Sequence, residues 1–116
     1  MPYYCARLLI VCLVSDRKPR RKNTCDYPFV VFRAKNDREA FKRALALGKK
    51  QECKYRTSDG KGWVRWAFVA VEAIKELGRR LDGIEVGSLL DIHVSEKPIS
   101  YRKRFAPERS TPDIST

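Results

Sequence analysis

The 116-residue chain carries 25 lysines and arginines against 14 acidic residues, a formal charge of +11, with 43% apolar and 34% charged residues. That length holds one hydrophobic core and is too short for two ordinary domains, and the aromatic and β-branched content excludes a disordered chain. No apolar run approaches a membrane span, and the run from Ala6 to Val14 is broken by Arg7 and lacks a cleavage pattern, so a cytoplasmic protein without an export signal is expected.

From Tyr3 to Val14 every even position (Tyr4, Ala6, Leu8, Ile10, Cys12, Val14) is apolar, a period of two that predicts a strand with one buried face. Arg17, Lys18, Arg20, Arg21 and Lys22 follow, broken by Pro19, and read as a basic hairpin loop. Tyr27 to Ala34 predicts a second strand, with Val30, Phe32 and Ala34 on one face and Phe29, Val31 and Arg33 on the other. Asn36 with Glu39 three residues later has the spacing of a helix cap, and Ala40, Phe41, Ala44, Leu45 and Leu47 supply the apolar stripe. Gly48 either ends this helix or lets it approach the sheet closely, and the end is expected between Gly48 and Cys53.

Ser58 to Gly62 are turn residues, and out of them comes Trp63 to Val71, apolar on both faces and therefore predicted as a central strand. Glu72 to Leu81 places Ala73, Ile74 and Leu77 at helical spacing and predicts a short helix or turn. Asp82 and Gly83 punctuate, and Ile84 to Val94 alternates through a last strand. The expected fold is α+β: an antiparallel four-stranded sheet in ββαββ order with one main helix packed on one face. Residues 1–94 form the single domain, and 95–116 form a polar, proline-containing tail, flexible or draped on it.

Several of these residues also carry a resemblance. Tyr55, Asp59-Gly60, Val64-Arg65-Trp66, Phe68-Val69 and Val71, then Asp82-Gly83, Glu85-Val86 and Ser88-Leu89, resemble the pattern of the bacterial domain of unknown function family 4288. Tyr4, Ala6 and Leu8 fit its opening strand, and Glu39-Ala40 with Gly48-Lys49 fit its helix, so the similarity spans about residues 3–94. It implies a small bacterial protein and brings no catalytic residues with it. The basic loop and the tail depart from the family's pattern.

Catalytic patterns are weak. His93 is the one histidine, placed beside Asp91 where a solvated structural role is expected, and Glu85 lies roughly 20 Å from Asp91 along the strand. Cys5, Cys12, Cys25 and Cys53 lack the close pairing of a metal knuckle and are expected as packed, reduced thiols. No glycine cluster cradles phosphate between a strand and a helix. Neither a catalytic residue, a metal nor a cofactor is therefore assigned.

Binding surfaces are easier to find. Arg7, Arg33 and Arg65, one from each of the first three strands, fall on the face opposite the helix beside Tyr3 and Trp63; in register, they would bind phosphates and stack on bases. The alternative is that each snorkels or pairs with Glu85 or Asp91. The same face carries Leu9, Val11, Leu13, Phe29, Val31, Ala67 and Val69, more apolar surface than a monomer leaves wet, so a second sheet, a partner, a second copy or the tail should cover it. The basic loop would attract a phosphate backbone or an acidic protein, although it has no interleaved aromatics. The leading expectation is a non-catalytic binding module, a regulator or sequestering partner of another protein, acting through the sheet face and the loop. The alternative is a nucleic-acid-binding accessory protein using Arg7, Arg33, Arg65 and the loop; a hydrolase centred on His93 is remote. No membrane partner is expected.

Overall fold

The alternation that begins at Tyr3 builds the middle of the sheet. The computed structural model describes residues 1–83 and 88–115, with the backbone alone at 88–91. Its elements are β1 (Tyr3–Val14), β2 (Arg20–Arg33), α1 (Asp37–Lys50), β3 (Cys53–Arg56), β4 (Trp63–Gly78), β5 (Ser88–Ile99), a short 3-10 turn (Pro107–Arg109) and β6 (Asp113–Ser115). Five strands lie in the order β3-β4-β1-β2-β5, antiparallel throughout, and β6 adds a parallel pairing to β4. The fold is thus α+β with one α-helix among the described residues, but neither the four strands nor the ββαββ order expected from sequence is found.

The differences have local causes. Phe68, Val71 and Ile74, each three residues from the last, all join the core beneath α1, together with Tyr4, Ala6, Leu8, Ile10 and Phe32. A strand reaches that spacing only through bulges, and the register of β4 against β1 shifts at Leu9/Ile10 and again at Arg7/Leu8, leaving Val69 and Glu72 without an opposite residue. Each extra residue turns a period of two into a step of three, which mimics a helix. The expected helix or turn at 72–81 is therefore strand as far as Gly78, and Ala70 pairs with Leu9 on the far face rather than packing under α1.

β3 was not expected because all four of its residues are exposed, so burial leaves no pattern there. β2 begins at Arg20 rather than Tyr27, because three cations of the expected loop are strand residues held by β5. β5 runs on to Ile99, and Ile84, Glu85 and Val86 of the expected last strand lie outside the described residues.

Helix α1 starts where Asn36 Oδ1 accepts from the Glu39 amide at 2.9 Å, and the Tyr4 hydroxyl donates to Asp37 across from β1. Burial first, then the Asp37 carboxylate, pushes the Tyr4 pKa up. Gly48 is buried inside the helix against the Phe68 ring, so its role is close approach and the helix ends at Lys50.

The outer edge of β4 is closed piecewise. β3 pairs with Trp63 to Trp66, Glu52 Oε2 accepts from the Phe68 amide, Ser110 Oγ accepts from the Val71 amide, and β6 pairs with Ala73 to Lys75. Side chains thus fill the gap between two short strands, which removes an edge that would otherwise template association.

Candidate functional site

Beyond Ile99 the chain crosses the sheet face opposite α1. Tyr101 and Phe105 pack onto a second core of Leu9, Val11, Leu13, Cys25, Ala67 and Ile99. Arg65 projects into this crossing, and its Nη1 donates to the carbonyl oxygens of Tyr101 and Lys103, both at 2.8 Å. The residue singled out as a phosphate ligand is thus a clamp on the chain's own strap, over much of the face through which a partner or second copy was expected to dock. The far end of that face, around Cys5, Arg7 and Phe29, keeps a shallow cavity of about 350 Å³.

The three arginines do not come together. Along β1, Arg33 stands opposite Tyr3, Arg7 stands between Phe29 and Ala73, and Arg65 stands opposite Leu13. Ten residues of strand, roughly 33 Å, separate the first from the last. Arg33 instead lies over the Tyr3 ring at 4.6 Å. The molecule is 48 Å long, so Arg33 and Arg65 belong to opposite ends of it.

At the Arg65 end the cations do converge. The Ser15 amide donates to the Trp63 carbonyl at 3.0 Å, and the Trp63 amide donates to Ser15 Oγ at 2.8 Å, so the turn after β1 is fastened to the start of β4. Trp63 carries Arg56 at 4.3 Å and Lys54 at 4.6 Å from its ring centroid. Register places Arg56 opposite Trp63 and Lys54 opposite Arg65, all on the strap's side of the sheet. The strap brings the exposed Arg102, Lys103 and Arg104 to the same place. Sequence reasoning overlooked Lys54, Arg56 and these three. The available signal was the pair of cations two residues apart, immediately before a glycine turn that leads into Trp63.

That turn is rigid. Asp59 Oδ1 accepts from the Thr57 hydroxyl at 2.6 Å and the Lys61 amide at 3.0 Å, and these bonds hold its carboxyl below the usual range. Gly60 takes a positive φ of 73°, and Gly62 admits Asp16 so closely that an added Cβ would lie 2.9 Å from it. The two turns are therefore seated on one another.

The basic segment is divided by structure. Arg21 Nε donates to the Ser95 carbonyl at 2.9 Å within the irregular pairing of β2 and β5. Arg17, Lys18, Arg20 and Lys22 instead line a cavity of about 290 Å³ with Leu13, Val14 and Ile92. His93 stands opposite Asn23 in β5, and among the described residues no group of three histidine, cysteine or acidic side chains could hold a metal. Cys12 and Cys53 both pair with Trp66 from either side, two strand spacings or about 10 Å apart, beyond the reach of a disulfide. No disulfide joins the four cysteines; Cys25 is buried, Cys53 is exposed rather than packed as expected, and burial raises the pKa of Cys5 and Cys12. No helix among the described residues is long and apolar enough to cross a membrane.

Comparison with known proteins yields one match. The family model described as Domain of unknown function (DUF4288) covers residues 3–88. No curated protein and no solved structure matches the chain.

Proposed function

Because the chain belongs to the DUF4288 family, whose description assigns no activity, its function has to be read from its own surface, and we propose a non-catalytic module that binds single-stranded nucleic acid across its cationic end. One observation carries this reading: cations from the β1–β2 turn, from β3 and from the strap gather at a single end of the sheet, where Lys54 and Arg56 lie over Trp63, Ser15 fastens the turn to it and Arg65 holds the strap. A polyanion binds such a cluster by releasing its counterions. The Arg56 guanidinium over Trp63 adds a flat surface on which an unpaired base can stack, which an acidic protein would not use. The strap lies over much of the apolar face that a protein partner would need, and this favours nucleic acid, the second expectation from sequence, over the leading one of a regulator or sequestering partner of another protein.

Fluorescence anisotropy with a labelled 20-nucleotide single strand tests the proposal. Binding is expected at low salt, with log K falling against log salt at a slope of roughly −2 to −4, corresponding to three to five phosphate contacts. Lys54→Gln with Arg56→Gln should weaken binding about tenfold or more, whereas Arg33→Gln with Lys35→Gln, the same charge removed from the opposite end, should leave it within about twofold. Equal losses from the two pairs, or no binding at low salt, would overturn the reading.

A further inference from the structure

The cavity beside the β1–β2 turn has a more specific construction than a charged surface. Pairing of β1 with β2 stops at Val11 opposite Cys25, and the two strands then diverge. Each is held from its outer side: Cys12, Leu13 and Val14 by β4, and Arg20, Lys22, Asn23 and Thr24 by β5. Neither wall can collapse on the other, so the opening between them is preformed. Strand backbones direct alternate N–H and C=O groups to either side, and some of those from both walls face into the opening.

Its lining is uneven in a telling way. Four cations line it with no carboxylate among the described lining residues, and the one acid of the turn, Asp16, is packed against Gly62 instead. Leu13, Val14 and Ile92 supply apolar wall, with Ile92 61% exposed at the rim. Asn23 and Thr24 add hydrogen-bonding groups, the Asn23 side-chain Nδ2 already donating to the Arg20 carbonyl at 2.9 Å. A volume of about 290 Å³ is more than a bare phosphate fills and suits a small organic body bearing one.

Building on the nucleic-acid reading, we propose that this cavity is a phosphomonoester site that takes the phosphorylated end of the bound strand, or a free mononucleotide, with phosphate among Arg17, Lys18, Arg20 and Lys22 and the nucleoside against Ile92. A phosphomonoester carries about −1.5 to −2 charges at neutral pH, against −1 for an internal diester, so four cations with no opposing acid among the described lining residues distinguish an end from the middle of a chain. The diester path past Trp63 and the end site then act on one ligand.

The test compares one single strand with a 5′-phosphate, a 3′-phosphate or two hydroxyl ends, and titrates adenosine monophosphate separately while following the Asn23 and Thr24 amides by NMR. At least one phosphorylated form should bind about tenfold more tightly than the hydroxyl form, and the ratio should fall to near one in Arg20→Gln/Lys22→Gln. The mononucleotide should shift the Asn23 and Thr24 amides at millimolar concentration and compete for the phosphate-dependent part of binding alone. Equal affinity of all three strands, or a ratio that survives the double substitution, would overturn the end site while leaving nucleic-acid binding intact. If no strand binds, the mononucleotide decides: shifts at Asn23 and Thr24 support the site without the longer path, and their absence removes it.

Discussion

Replacing Gly48 with alanine is expected to destabilise the domain by about 1–2 kcal/mol, although alanine is the better helix former by about 1 kcal/mol. A Cβ at this position would sit 2.3 to 2.6 Å from three atoms of the Phe68 ring. Phe68 is only 3% exposed and lies within the core of Tyr4, Leu8, Ile10 and Val71, so the ring has no free space to enter. Helix α1 must therefore lift or the ring must leave its rotamer, and either outweighs the gain in propensity. The thermal midpoint should fall by roughly 5–15 °C for a domain of this size. In a Phe68→Leu background the clash disappears, and the same alanine should be neutral or slightly stabilising. A double-mutant cycle with the same loss on both backgrounds would show that something other than this contact fixes Gly48.

The strap offers the second large effect. Arg65→Ala removes the donor that two backbone carbonyls share, and hydrogen bonds from a charged group contribute about 1.5–3 kcal/mol each. A net loss of about 2 kcal/mol would raise the open population of residues 100–105 roughly thirty-fold. Trypsin reports this directly, because Arg102, Lys103 and Arg104 lie exposed on the strap: cleavage at these three bonds, identified by mass, should accelerate by a similar factor, with added dye binding to the uncovered Leu9, Val11 and Leu13. Tyr101→Phe should do the reverse or nothing, since the Tyr101 hydroxyl is buried with no hydrogen-bond partner among the described residues. Unchanged cleavage in Arg65→Ala would mean that the apolar contacts of Tyr101 and Phe105 hold the strap alone.

How much of this could be read from sequence depended on whether side-chain burial followed a simple period. β1 could be read almost outright, because its even positions from Tyr4 to Ile10 pack under α1 and its odd positions from Leu9 to Leu13 pack under the strap. The helix start at Asn36 and the turn before Trp63 followed from capping and glycine chemistry, which act over a few residues. β4 could not be read past Val71, because two bulges imposed a spacing of three that no local rule distinguishes from a helix. β3 is fully exposed, and Arg20 to Lys22 form a strand only because β5 lies beside them, so both depend on neighbours distant in sequence. The site shows the same limit. The basic run was visible, but its convergence with Lys54, Arg56 and the strap rests on two hydrogen bonds between Ser15 and Trp63 and two more from Arg65.

The cationic end as the working surface is tested most directly by an amide NMR titration with an unlabelled 12-nucleotide single strand. Shifts should concentrate at residues 15–24, 54–63 and 100–105 and include the Trp63 indole, while Tyr3, Arg33 and the start of α1 stay still. A titration that moves the amides around Arg7 and Arg33, or that spreads small shifts evenly over the surface, would contradict the assignment.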